Sequence, residues 1–176
     1  TGIGALYGKS ELLADMPPWQ GGGEMIARVS LEGSTFKKPP HRFEAGTPAI
    51  AQTIALKAAL DYVTDLGLDR IAEHEAMLLN YATERLSALP GITIYGTNPA
   101  KASILSFTMA DVHPHDIGTI VDREGVAVRV GHHCAQPIMQ RYDIAATVRA
   151  SFALYNTLEE VDALVASLEK VRELFA

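Results

Sequence analysis

Apolar residues recur along this chain in two rhythms, one of 3.6 residues and one of two, and the stretches where each dominates predict its elements. Ile50, Thr53, Ile54, Lys57, Ala58 and Tyr62 share one helical face, and Ala51, Ala55 and Ala59 add propensity, so a helix is predicted from residue 49 to the Gly67 stop. A second helix follows, with Asp69 as its expected cap, Ile71, Leu78, Ala82, Leu86 and Leu89 as its stripe, and Pro90-Gly91 as its end. Residues 115–124 carry a shorter stripe of Ile117, Ile120 and Val121, closed by Gly125. The last helix opens on a capping box, Thr157-Leu158-Glu159-Glu160, and buries Val161, Leu164, Val165, Leu168 and Val171. Short apolar or alternating runs at 92–95, 103–107, 126–130 and 148–155 read as strands. Glycines alternate with apolar residues over 2–8, which predicts another strand, and residues 10–16 a short helix capped by Ser10 and stopped by Pro17-Pro18. Ile26, Val29 and Leu31 alternate with Arg28 and Ser30 as in a hairpin strand. Residues 33–48 form a long basic, Pro-rich stretch of the kind that is functional or meets a partner.

Residues 91–176 therefore supply strands and helices enough for one compact α/β unit, whereas residues 1–90 hold too few strands for a sheet. The expected division is 1–90 and 91–176. Across the 176 residues, 48% are hydrophobic and 20% charged, ordinary for a globular protein and unlike a disordered tail or a collagenous repeat. The formal net charge of -6 argues against non-specific binding to nucleic acid or an anionic membrane. No apolar run approaches the ~20 residues of a membrane span. A single cysteine excludes internal disulfides and suits a reducing cytoplasm. The chain starts at Thr1 with a pattern that reads as the interior of a fold, so an upstream part is expected.

That cysteine lies in the most informative segment, Arg129-Val130-Gly131-His132-His133-Cys134-Ala135. A thiol in a glycine-containing loop, beside two imidazoles and a guanidinium, sits in a setting that favours the reactive thiolate. A buried small hydrophobe next to structural histidines is the other reading, and the residues alone leave both open. A metal site built from His132, His133 and Cys134, with His113 and His115, is disfavoured, because adjacent residues of an extended chain face opposite ways. No metal is expected. Arg149 interrupts an apolar strand, as a structural ion pair, an exposed edge-strand residue, or a bidentate grip on a carboxylate. Gly46-Thr47, just ahead of a helix, is either a plain cap or an anion contact. Gly21-Gly22-Gly23 lacks a phosphate-loop spacing and reads as a flexible turn.

In chain order, Thr1-Gly2-Ile3-Gly4, Met16-Pro17-Pro18-Trp19 with Gly21-Gly22-Gly23, Arg42-Phe43-Glu44-Ala45-Gly46-Thr47-Pro48, the Arg129–Ala135 run, and Arg149-Ala150-Ser151 with Tyr155-Asn156 resemble the Suf-type (group II) cysteine desulfurases. These are pyridoxal-phosphate enzymes of the class V aminotransferase group, near relatives of selenocysteine lyase. The resemblance implies a PLP-dependent transferase fold of type I, with this chain as its C-terminal portion. Residues 1–90 would be the end of the large domain, including a dimer-contact loop and linking helices, and 91–176 the small domain bearing the cysteine loop. Cys134 would be the nucleophile that takes sulfur from L-cysteine, leaving L-alanine and a persulfide destined for iron–sulfur cluster assembly. Arg149 would hold the substrate carboxylate, Arg129 would line the site, and His132 and His133 would move protons or shape the loop. Thr47 would reach the phosphate of the partner subunit's pyridoxal phosphate in a homodimer, and a Suf-type protein would accept the sulfur. Gln20 departs from the acidic residue of the family pattern. None of Lys9, Lys37, Lys38, Lys57, Lys101 and Lys170 matches the Schiff-base lysine, which the resemblance places upstream of Thr1, so the isolated chain is expected to be inactive. Selenocysteine lyase acting on L-selenocysteine, or a non-catalytic remnant that accepts sulfur or dimerises, are the alternatives.

Overall fold

Contacts divide the chain between Asp65 and Leu66, in a computed structural model that describes residues 2–175. The first unit contains α1 (Ser10–Asp15), the hairpin strands β1 (Ile26–Ser30) and β2 (Gly33–Phe36), a single 3-10 turn at His41–Phe43, and α2 (Ile50–Leu66). Met25 is its one fully buried hydrophobic residue among those described. Thr1 lies outside the described residues, and the strand expected over 2–8 does not form: these residues pair with no neighbour, and Leu6 and Tyr7 are exposed. A strand without a ladder has nothing to satisfy its backbone. Ser10 is the first residue of α1 rather than its cap; Lys9 holds that position and makes no side-chain bond. The hairpin is present, but its alternation buries nothing beyond Met25, and Leu31 at its tip is fully exposed. The 33–48 stretch is more ordered than a loop, since β2 takes its first residues and Arg42 pins the rest. Arg42 Nη1 donates to the carbonyls of Ala14 (2.7 Å) and Met16 (3.0 Å), and its Nε to that of Lys37 (3.1 Å). The helix expected from residue 49 is α2, yet none of its residues is buried, and Ile50, Ile54 and Tyr62 stay exposed.

The second unit runs α3 (Leu68–Ser87), β3 (Ile92–Tyr95), β4 (Ile104–Met109), α4 (Pro114–Arg123), β5 (Arg129–Gly131), α5 (Gln136–Tyr142), β6 (Thr147–Ser151) and α6 (Leu158–Phe175). The boundary expected after residue 90 moves to 65/66 because the stripe of α3 belongs to this core: Leu78, Leu79, Ala82 and Leu86 pack with the sheet and with α6. Asp69 sits in the first turn of α3, where its charge suits the helix dipole, but Gly67 is the N-cap. The four strands lie in the order β3-β4-β6-β5, and every neighbouring pair is antiparallel. Leu105, Phe107 and Met109 of β4, with Val148 and Ala150 of β6, turn one sheet face toward α3, α4 and α6. Val161, Leu164, Val165, Leu168 and Val171 all bury against it, as the stripe predicts. The capping box forms: Thr157 N donates to Glu160 Oε2 (3.0 Å) and Glu160 N to Thr157 Oγ1 (3.4 Å).

The alternate strand positions form the second face. Register places Tyr95 opposite Ser106, Ser106 opposite Arg149, and Arg149 opposite Arg129, one polar row across all four strands. Thr147, two residues before Arg149 and paired with Gly131, shares that face. The strands expected at 126–130 and 148–155 are shorter than expected, because pairing with β6 begins only at Arg129 and β6 ends at Ser151.

Candidate functional site

At the end of β5 the chain turns sharply. Gly131 has φ 132°, and the next turn is built on two consecutive non-glycine residues in the left-handed region, His133 at φ 53° and Cys134 at φ 59°. Ala135 N donates to His132 O at 2.7 Å and closes it, after which α5 begins. The turn leaves Cys134 exposed at its tip as a free thiol. Arg129 Nη2 lies 3.9 Å from Cys134 Sγ, a guanidinium in reach of any charge the sulfur carries. Of the two readings left open, the buried cysteine is not what the structure shows. His132 is also exposed in the turn. His113 and His115 stack on each other at the start of α4, where His113 Nδ1 accepts the His115 amide and serves as the cap.

His133 points the other way and is half-buried. Its Nε2 lies 2.9 Å from Thr147 Oγ1 and 3.2 Å from Thr147 O, while its Nδ1 is buried without a partner. Burial pushes its pKa below the usual histidine value of 6.5, and the Arg149, Arg129 and His132 charges push the same way against the Thr147 bond. Arg149 is half-buried in β6, and its Nε is buried with no hydrogen-bond partner. No carboxylate pairs with it among the described residues, so the structural ion pair is not what holds it there.

Arg149 and His133 open onto one depression of about 390 Å³, with Thr147, Ser106, Tyr95 and Tyr142 among its lining and no acidic residue. Tyr142 of α5 meets Tyr95 edge-on, ring centroids 5.1 Å apart, which seats the helix over the end of the polar row. Thr147, Ser106, Tyr95 and Tyr142 were not singled out in the sequence. Cross-strand register connects Tyr95 and Ser106 to Arg149, Thr147 shares its strand face two residues earlier, and Tyr142 comes in on α5.

Thr47 belongs to the first unit. It is exposed, its hydroxyl makes no hydrogen bond among the described residues, and it is not a helix cap, since α2 starts at Ile50. The loop carrying it rests on the glycine turn: Gly46 N donates to Gly23 O at 2.9 Å, and a Cβ on Gly22 would come within 3.1 Å of Ala45 Cβ. That turn is a close packing contact more than a flexible link.

The second unit therefore gathers Cys134, Arg129, His132, His133 and Arg149 at one sheet end, and residues 1–164 of this chain match the aminotransferase class-V family. The chain belongs to that family. It is 53% identical over 177 residues to a protein of Streptomyces coelicolor named probable cysteine desulfurase, covering 99% of this chain and 42% of that protein. A Klebsiella pneumoniae protein named cysteine desulfurase is 53% identical over 175 residues, with 99% of this chain and 43% of the relative covered. Among solved structures, the Escherichia coli cysteine desulfurase CsdA (S-sulfonic acid) superposes with a TM-score of 0.90 at 40% identity, over 97% of this chain and 42% of the other. The α/β fold of a class V aminotransferase is thus the fold of this chain, which spans less than half the length of these relatives.

Proposed function

We propose that this chain supplies the sulfur-accepting thiol and the carboxylate grip of a pyridoxal-phosphate-dependent cysteine desulfurase. The observation that carries this reading is the exposed Cys134 thiol, 3.9 Å from Arg129, at the same sheet end as a guanidinium whose buried Nε has no partner. A buried donor without an acceptor is costly, and an anionic ligand in the carboxylate-free depression would satisfy it. Arg149 fits the α-carboxylate of an amino acid, through the planar fork that makes guanidinium the better partner for such a group.

The residues present fit one side of a cofactor site. No lysine lines the depression among the described residues; Lys101 donates to Gly96 O at 2.7 Å and Lys170 pairs with Glu124. The amine that holds pyridoxal phosphate would then come from the part of the relatives' length that this chain does not span. Thr47, with its free hydroxyl, is the residue here that would hold the cofactor phosphate, across a homodimer contact. The exposed apolar residues of the first unit, Leu6, Tyr7, Trp19 and Leu31 among them, support such a contact.

When bound, pyridoxal phosphate supplies the electron sink for breaking the substrate's carbon–sulfur bond. Arg149 would fix the carboxylate and so aim the substrate sulfur. The Cys134 thiolate would attack that sulfur and form a sulfur–sulfur bond as the carbon–sulfur bond breaks; the released electron pair and a proton end on carbon, giving L-alanine and a Cys134 persulfide. Arg129 would neutralise the attacking thiolate. A turn tip open to solvent would then let the persulfide meet an acceptor protein of iron–sulfur assembly. No helix among the described residues is long and apolar enough to cross a membrane, and the lone thiol fits a reducing cytoplasm.

In protein complete with its cofactor-bearing part, Cys134→Ala should abolish alanine formation from L-cysteine and leave the cofactor absorbance in place. Undiminished turnover by that variant would remove Cys134 from the mechanism.

A further inference from the structure

We propose that His133 is a positioning residue, whose bond to Thr147 holds the cysteine turn in the strained shape that presents Cys134 beside Arg129. The kinetic part of this inference rests on the role given to Cys134 above; the structural part does not. Left-handed backbone at two successive residues bearing side chains persists only where surrounding contacts over-determine it. Within the turn, the Ala135 N to His132 O bond is local and moves with it. Among the described residues, two side-chain ties leave the turn for the sheet: Arg129 Nη2 to the sulfur itself, at a long 3.9 Å, and the His133 ring to Thr147, fourteen positions away, at 2.9 and 3.2 Å. Thr147 is buried in β6 and paired with Gly131, so the anchor point is fixed to the strand that also carries Arg149.

The tautomer follows from the partners. A backbone carbonyl only accepts, so the Nε2 near Thr147 O carries the proton and donates, leaving Nδ1 as the bare acceptor that finds no partner. The ring is thus spent on anchoring through one nitrogen. Loss of the anchor releases the turn, and the thiol no longer starts each cycle at one place relative to Arg149.

Three variants separate anchoring from backbone tolerance. Glycine accepts a left-handed φ but cannot anchor; glutamine carries an amide donor at the reach of Nε2. His133→Gly should speed exchange of the Ala135 amide about tenfold or more and lower kcat roughly 10- to 100-fold, with KM for L-cysteine and cofactor absorbance unchanged. His133→Gln should restore much of both. Thr147→Val, which removes the hydroxyl and keeps the carbonyl, should fall between, and it serves if the glycine variant does not fold. Unchanged Ala135 exchange and unchanged kcat in His133→Gly and Thr147→Val would overturn the inference. Turnover that survives Cys134→Ala would instead strike the proposed function, and amide exchange would still decide whether His133 holds the turn.

Discussion

Gly118 lets α4 approach the cysteine strand closely, and its substitution gives a sharp test of the packing. It lies in α4, which packs on β5 and β6, and a Cβ added there would sit 2.5 Å from Val130 Cγ2 and 3.7 Å from Val130 Cβ. Carbon atoms are comfortable at about 3.5–4.0 Å, so the new methyl overlaps by roughly an ångström. Overfilling a packed layer, the off-rotamer shift of Val130 included, typically costs about 1–3 kcal/mol. Replacing glycine by alanine inside a helix returns about 1 kcal/mol. Gly118→Ala should therefore destabilise the second unit by about 0–2 kcal/mol, the balance of these terms. In a Val130→Ala background the overlapping atom is gone, and the same change should stabilise by about 1 kcal/mol. Urea unfolding followed by helical circular dichroism reads all four corners of this cycle. An equal stabilisation by Gly118→Ala in both backgrounds would refute the close contact. Val130 immediately precedes Gly131, so the single variant should also alter the alkylation rate of Cys134.

Leu168→Ala, at a fully buried position of α6, should cost about 2–5 kcal/mol in the same urea assay, since the site is enclosed by sheet and helices. Arg149→Lys keeps the charge and loses the planar fork, so KM for L-cysteine should rise about tenfold or more; an unchanged KM would make Arg149 structural. For His133, the folded pKa is held below the unfolded 6.5 by burial and the neighbouring cations. The folded unit then binds fewer protons than the unfolded chain between those two values, so this contribution to stability is full above 6.5 and drains as pH falls toward the folded value. Urea midpoints measured at about pH 7.5 and about pH 5.5 should differ more in the parent chain than in His133→Asn.

What could be read from the chain alone depended on how far each feature is local. The capping box and stripe of α6, and the strands β3 and β4, need only their own residues and their period, and they form where expected. The strand over 2–8 failed because pairing is not local, and its residues have no neighbour to pair with. Helix α5 escaped because seven residues starting Gln136-Pro137 show no full apolar period. Stripes are misleading in the first unit, where α2 has the period but no layer beneath it. Cys134, Arg129, His133 and Arg149 stood out as chemistry in the sequence and do converge; Ser106 is an ordinary strand residue until the register sets it beside Arg149, and Thr147 until pairing with Gly131 brings the cysteine turn to it.

The placement of β5 at the rim of the sheet, three residues long, bears on how the molecule avoids sticking to copies of itself. An open strand edge invites another chain to add to it, and proteins blunt that risk with short strands, charges and glycine kinks. Arg129 and Gly131 do so here, and the chain leaves the edge at once through a turn that no incoming strand can match. The same brevity sets the turn on a rim, where its shape rests on the His133–Thr147 bond and not on an interior ladder. A β5 lengthened by substituting Gly131 would trade that turn for an adhesive edge.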